Sequence, residues 1–224
     1  MTNETFNIWY GSAKSPTWNM AADEFLLRQS AIVGQAVLRL YSWNQPSSSF
    51  GYFQRYAEVS LWTDLRPLIR RPTGGGLVRH DENEWTYSLT FPSGHAWWKL
   101  KAEISYQQVH NWIRRAFERC GVMTELCSEV VHAGFGQCFI GAEKNDLLYR
   151  GKKIAGAAQR RNREGLLIQG SIQAKDTGIE RISWESAMLE EINWKEWHPA
   201  ETFIENITTL SQQKYELENH NLRR

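Results

Sequence analysis

Residues 70–81 read Arg70-Arg71-Pro72-Thr73-Gly74-Gly75-Gly76-Leu77-Val78-Arg79-His80-Asp81. Three consecutive glycines take every Cβ out of a bend. Backbone N–H groups there can approach a ligand closely and offer donors to a carboxylate, phosphate or thioester carbonyl, while Arg70 and Arg71 add planar cationic forks. The segment is not a P-loop, because no Gly-Lys-Ser/Thr follows, and it is not the G-x-G-x-x-G signature. Taken alone, a triple glycine is equally a flexible hairpin turn. His80, at its far end, either orients a substrate carbonyl or holds its own loop.

Working outward, the residues after this turn alternate cleanly. Tyr87, Leu89 and Phe91 interleave with Thr86, Ser88 and Thr90 until Pro92 and Gly94, which predicts a half-buried strand. Upstream, Val37–Trp43 is β-rich and bounded by Pro46 and a serine run, so a strand followed by a loop into Gly51-Tyr52-Phe53-Gln54 is expected. Before it, Asn19 caps a short helix carrying Ala21, Phe25 and Leu26 inward and ending by Gly34. Downstream, Val109, Trp112, Ile113, Ala116, Phe117 and Cys120 recur at steps of three and four ahead of Gly121, a helix with a left-handed stop. Leu147–Tyr149 and Ile154–Ala158 flank Arg150–Lys153 as a hairpin, and Leu166–Ile172 supplies a further strand. Ala187–Trp197 and Pro199–Leu210 read as helices. Strands in adjacent runs with helices between and after them predict an α+β fold with a mixed, mainly antiparallel sheet packed against helices. No linker or repeat divides the chain. One domain over residues 1–212 with a loosely held polar tail at 213–224 is expected.

The bulk composition narrows the function classes. With 224 residues, 42% hydrophobic and 23% charged, the chain can bury an ordinary core and is not of disordered, collagenous or coiled-coil composition. A net charge of +1 provides no general field for gathering phosphates, which argues against nucleic acid. Cys120, Cys127 and Cys138 form no C-x-x-C, and the chain carries neither a secretory signal nor a long apolar span, so no membrane association and a reducing, cytoplasmic setting are expected. The histidines show no zinc spacing, and no metal site is expected.

Two more positions carry candidate chemistry. Lys153 opens Lys153-Ile154-Ala155-Gly156-Ala157-Ala158, where small residues let a ligand lie against the strand and the ammonium could polarise an acyl carbonyl; the alternative is a solvated hairpin lysine. Cys138 in Gly136-Gln137-Cys138-Phe139 is either a nucleophile or a small buried hydrophobe. Arg150, Lys152, Lys153, Arg160, Arg161 and Arg163 form either a wet face or a dock for an acidic carrier protein.

Together, Arg70–Gly76 with His80, and Lys152-Lys153-Ile154-Ala155-Gly156-Ala157-Ala158-Gln159, resemble the lipoate-protein ligase and octanoyltransferase family. Asn19–Glu24 is similar to that family's first helix, Leu38–Gln54 to its next strand and loop, and Gln169-Gly170-Ser171-Ile172 to the strand closing the site. The likeness runs in order from residue 17 to 175. It implies a biotin/lipoate protein ligase-like catalytic domain with a tunnel for an octanoyl or lipoyl chain. It also implies delivery of the acyl group to a lysine of a lipoyl carrier domain or a glycine-cleavage-type carrier protein. By resemblance, Lys153 and Cys138 are catalytic, and Arg70, Arg71, Thr73, Gly74, Gly75, Gly76, His80, Asp146, Gly156 and Ala157 bind substrate. The biotin branch's own arginine-rich loop is not evident.

Two mechanisms divide the family. Octanoyl-acyl carrier protein is already activated and needs a nucleophile but no cofactor, whereas free lipoate must become an adenylate, using ATP and Mg. Cys138, eight residues before Asp146 and beside Phe139, resembles the nucleophile of the cysteine-dependent octanoyltransferases, and the short chain, without the accessory domain usual in stand-alone ligases, points the same way. Asn145-Asp146-Leu147 is closer to the ligase pattern. The transferase is the preferred expectation, the ligase the alternative, and a non-catalytic binding module the third.

Overall fold

The computed structural model describes residues 4–131 and 141–223. In chain order the first half holds β1 (Thr5–Tyr10), α1 (Pro16–Val33), β2 (Val37–Tyr41), β3 (Ser47–Phe50), α2 (Tyr56–Val59), β4 (Leu68–Arg70), β5 (Val78–His80) and β6 (Trp85–Pro92). The second half holds α3 (Ala96–Lys99), α4 (Ala102–Arg119), β7 (Glu125–Leu126), β8 (Leu147–Tyr149), β9 (Lys152–Arg161), β10 (Gly165–Ile172), α5 (Arg181–Leu189), β11 (Asn193–Glu196), α6 (Glu201–Leu210) and α7 (Glu218–Leu222). An eight-stranded sheet runs β11-β1-β2-β6-β10-β9-β8-β7, and a small one runs β4-β3-β5. Only β11–β1 and β1–β2 are parallel in the large sheet, so the mixed, mainly antiparallel α+β expectation is met.

The two faces of β6 explain the layering. Trp85, Tyr87, Leu89 and Phe91 pack on the apolar stripe of α4 (Val109, Trp112, Ile113, Ala116, Phe117) and on Trp184 and Met188 of α5. Thr86, Ser88 and Thr90 face the other way, yet they too are buried, because β6 lies between β2 and β10 and α1 covers that side. The strand is therefore buried on both faces rather than on one. On its polar side Thr86 Oγ1 accepts from Trp43 Nε1 at 2.7 Å, and Ser88 joins a network centred on Asp23, which accepts from Arg39 Nη1 at 2.8 Å, Tyr41 at 3.0 Å, Ser88 Oγ at 2.7 Å and Gln169 Nε2 at 2.7 Å. One helical carboxylate thus ties α1 to β2, β6 and β10 in a dry interior, where such bonds are strongest.

Several local readings are corrected. The cap of α1 is Ser15, whose Oγ accepts from Trp18 N at 3.2 Å, with Pro16 at the first helical position; Asn19 is buried inside the helix, where its Oδ1 accepts from Arg39 Nη2 at 2.6 Å. The serine run is not a loop but β3, buried because Ser48 meets Thr63 at 3.2 Å and Ser49 meets His80 at 2.6 Å. Residues 187–197 are not one helix: α5 ends at Leu189, and β11 adds an edge strand beside β1. The described residues 213–223 are not a loose tail. Tyr215, His220 and Asn221 are buried, and Asn221 Oδ1 accepts from Arg70 N at 2.9 Å. No described helix is long and apolar enough to cross a membrane.

Candidate active site

A cavity of about 390 Å³, within the usual size range for a small-molecule site, lies between the large sheet and the glycine turn. Its walls include Met20, Trp43, Val78, Tyr106, Ala157 and Ala158, and its polar side carries Arg71, Gly75, Gly76, His80, Lys153 and Gln169. The turn and the late hairpin, 77 residues apart when counted from Gly76 to Lys153, meet here.

The hairpin is set by Arg150 and Gly151, both with positive φ (50° and 73°), the combination that a two-residue turn matched to strand twist requires. It delivers Lys153 into β9, where its side chain is 7% exposed and its Nζ lies 2.6 Å from Asp146 Oδ2. Asp146 is fully buried, accepts from Glu143 N at 2.6 Å and takes a further bond from the Tyr106 hydroxyl. Burial, the Asp146 charge and that bond together hold the Tyr106 phenol well above its ordinary pKa, so it stays a donor. Gly156 is required by this arrangement: a Cβ there would sit 2.7 Å from Lys153 Cε and 2.9 Å from Nζ. The lysine crosses the place where another residue would carry its side chain.

The glycine turn is shaped by Arg71. Its Nη2 donates to Gly74 O at 2.9 Å and Gly76 O at 2.7 Å, and its Nη1 to Ser49 O at 2.8 Å. Gly51 packs so tightly beneath that a Cβ would lie 1.9 Å from Gly75 O, and Gly75 itself has φ 82°. His80 Nδ1 lies 2.5 Å from Glu84 Oε2, and its Nε2 shares a hydrogen bond of 2.6 Å with Ser49 Oγ, which also accepts from Arg71 Nη1 at 2.9 Å. Its ring stacks on Trp43 at 3.9 Å, so His80 is a fixed part of the wall.

Among the residues expected to bind substrate, Arg71, Gly75, Gly76, His80, Gly156 and Ala157 line the cavity together with Lys153. Asp146 stands behind Lys153, and Thr73 behind the turn, its Oγ1 donating to Gln169 at 2.7 Å; Gly74 lies beside the cavity without lining it. Arg70 is not in the wall. Its guanidinium donates to the carbonyls of Tyr52 and Gln54 at 2.7 Å each and to those of His220, Asn221 and Arg223, tying the C-terminal segment to the loop after β3. Cys138 lies outside the described residues. The basic cluster divides: Arg161 donates to the carbonyls of Trp97 and Trp98, Arg160 to Pro72 O at 3.3 Å, and the Lys153 side chain turns inward to Asp146. Trp97 and Trp98 pack on the core. Trp97 stacks on Phe91 at 4.9 Å and Trp98 donates to Asn162 O at 2.9 Å. Tyr106 and Asp23, neither of them a candidate from the sequence, also shape the site, Tyr106 through Asp146 and Asp23 through Gln169. Asp23 is marked as an acid embedded among Met20, Ala21 and Ala22; Tyr106, three residues before Val109, is in step with the apolar stripe of α4 and so reads as core. Among the described residues, no group of three or more His, Cys, Asp or Glu side chains is arranged to hold a metal ion.

A mixed sheet covered by helices on both faces, with a cation and a glycine turn meeting in one cavity, matches the architecture of a lipoyl protein ligase A/B catalytic domain. A family model of that description matches residues 15–213, and the chain belongs to this family. Its relatives include proteins named octanoyltransferase LipM: one from Staphylococcus aureus is 32% identical over 80% of this chain and 69% of its own length, and one from Oceanobacillus iheyensis is 37% identical over 69% and 58%. The match thus spans about three-fifths to two-thirds of the curated relatives. Among solved structures, a chain of a bi-partite lipoate protein ligase from Thermoplasma acidophilum superposes with a TM-score of 0.75 at 18% identity, covering 100% of this chain and 98% of its own. Lipoate-protein ligase A bound with ATP gives 0.77 at 18%, covering 99% of each. These two likenesses concern the fold.

Proposed function

We propose that this chain carries an octanoyl group from an acyl-carrier thioester to a lysine of a lipoyl carrier domain in the cytoplasm. The observation that carries the reading is the meeting of Lys153 and the glycine turn in one largely apolar cavity, in a chain whose relatives are named octanoyltransferases. Cys138 is proposed as the nucleophile. It is three residues from Gly141, a wall residue, and three residues of chain span at most about 11 Å.

In the first step the Cys138 thiolate adds to the thioester carbon. The developing oxyanion receives donors from Lys153 and from backbone N–H groups of the turn, and the carrier thiolate leaves with the C–S electron pair and takes up a proton. In the second, the neutral amine of the carrier lysine attacks the acyl-enzyme, sulfur leaves as thiolate, and the nitrogen loses a proton to give the amide. The residues of the turn and Ala157–Ala158 hold the acyl chain; the cation stays fixed by Asp146.

A second reading, an ATP- and Mg-dependent lipoate-protein ligase, draws on Asn145-Asp146 and on Glu143 at the cavity wall. There, Asp146 fits a divalent ion poorly while Lys153, Tyr106 and Glu143 N occupy its oxygens. Incubation with octanoyl-acyl carrier protein, followed by intact mass, decides between them. A covalent octanoyl adduct that is absent in Cys138→Ala supports the transferase. Nucleotide-dependent modification by free lipoate, with Cys138→Ala fully active, overturns it.

A further inference from the structure

We infer that Tyr106 is a positioning residue for this reaction, acting through Asp146 on Lys153; the inference rests on the reading of Lys153 as the oxyanion donor. Three observations converge on it. Tyr106 lies in the first two turns of α4, far in sequence from the hairpin, yet its hydroxyl donates to Asp146 Oδ1 while Lys153 Nζ takes Oδ2 at 2.6 Å. The same hydroxyl accepts from Ala157 N at 3.2 Å, so one oxygen joins α4, the β9 backbone and the carboxylate. Beneath it, the ring packs at 4.3 Å on His110, itself buried and anchored through Nδ1 to Tyr106 O at 3.0 Å.

The physical consequence concerns how many ways the carboxylate can turn. A buried carboxylate held only by Lys153 and Glu143 N, both through Oδ2, could swing about its Cβ–Cγ bond, and the ammonium would follow it. With Oδ1 held by the phenol, the plane of the carboxylate is fixed and the ammonium is set against the cavity wall before substrate arrives, which is the preorganisation that oxyanion stabilisation needs. Because the phenol donates to a charged acceptor, the bond is a strong one, and Oδ2 stays turned toward Lys153.

The test is Tyr106→Phe in the full chain, measured for octanoyl transfer and thermal unfolding, alongside Lys153→Ala and the pair Asp146→Asn with and without Tyr106→Phe. The expected result is a fall in kcat of about 10- to 100-fold with KM for the acyl carrier within about 3-fold of wild type and the unfolding temperature lowered by roughly 2–10 °C, because two buried groups lose a bond. In the Asp146→Asn background, Tyr106→Phe should cost less than about 3-fold, because the route through the carboxylate is already cut. A Tyr106→Phe enzyme with wild-type kcat, or an undiminished effect in the Asp146→Asn background, overturns the inference. If instead Lys153→Ala retains activity, the underlying reading of Lys153 fails, and the two failures are told apart. Should Tyr106→Phe unfold, Asp146→Asn alone must show the same fall in kcat of about 10- to 100-fold at near wild-type KM, and wild-type kcat in that folded variant also overturns the inference.

Discussion

Gly156→Ala separates the work of Lys153 from the integrity of the sheet. Gly156 is buried on β9, paired with Ser171 of β10, and is not among the residues with positive φ, so alanine suits its backbone. The added carbon meets Lys153 Cε at 2.7 Å against an ordinary contact of 3.4 Å, a shortfall of about 0.7 Å, and Nζ at 2.9 Å. Both are at the mobile end of a long side chain, so the sheet stays intact and the lysine moves. It cannot move far toward Asp146, whose Oδ2 is already 2.6 Å from Nζ and whose Oδ1 would lie 3.2 Å from the new carbon. The ammonium is therefore pushed off its position by roughly half an ångström to an ångström, a displacement that costs about 10- to 100-fold in rate. Removing a glycine from a strand interior offsets part of the crowding, so stability should change by no more than about 1 kcal/mol. The assay is octanoyl transfer from a carrier thioester, with thermal unfolding in parallel. Wild-type kcat/KM at an unchanged unfolding temperature refutes the claim that this position of Lys153 matters. A drop of more than about 8 °C shows instead that the methyl group disrupts the sheet.

Gly170→Ala makes the opposite prediction, since its Cβ would lie 2.1 Å from Tyr87 Cζ in a ring with no exposure; a loss of about 3 kcal/mol or more in urea unfolding is expected, and a change under 1 kcal/mol would contradict it. Asp23→Ala leaves the Arg39 guanidinium, 0% exposed, without its carboxylate and should cost about 3–5 kcal/mol, read from the denaturant midpoint. His110 is held neutral by burial, its pKa lowered from 6.5 to about 4. The unfolded chain therefore binds the extra proton first, and stability should fall as pH drops from 6.5 to 4, by at most about 3 kcal/mol from this residue. His110→Gln should flatten the curve in that window, and an unchanged slope would sink the assignment.

Local signals carried much of the fold. The apolar steps of three and four from Val109 to Phe117 required a helix with one buried stripe, and that stripe packs on β6. The alternation from Thr86 to Phe91 required a strand, and Arg150-Gly151 supplied the hairpin turn that points Lys153 inward. In each case the pattern has the period of the element itself, so neighbouring residues suffice to specify it. The glycine turn was legible for a related reason: a backbone without side chains is a property of the residues alone.

What remained was decided by partners distant in sequence. Ser48 and Ser49 look like loop until Thr63, Arg71 and His80 satisfy them in a buried strand, and β11 pairs in parallel with the edge that β1 offers. Arg70 and Arg71 are chemically identical neighbours, yet one braces the C-terminal segment while the other shapes the glycine turn at the cavity. Tyr106 falls in step with the apolar stripe of α4 and reads as core, and its hydroxyl acquires a role only when α4 is laid across β9. A buried polar group must find its partner wherever the chain brings one, and that choice is made by tertiary packing, which no window of neighbouring residues encodes.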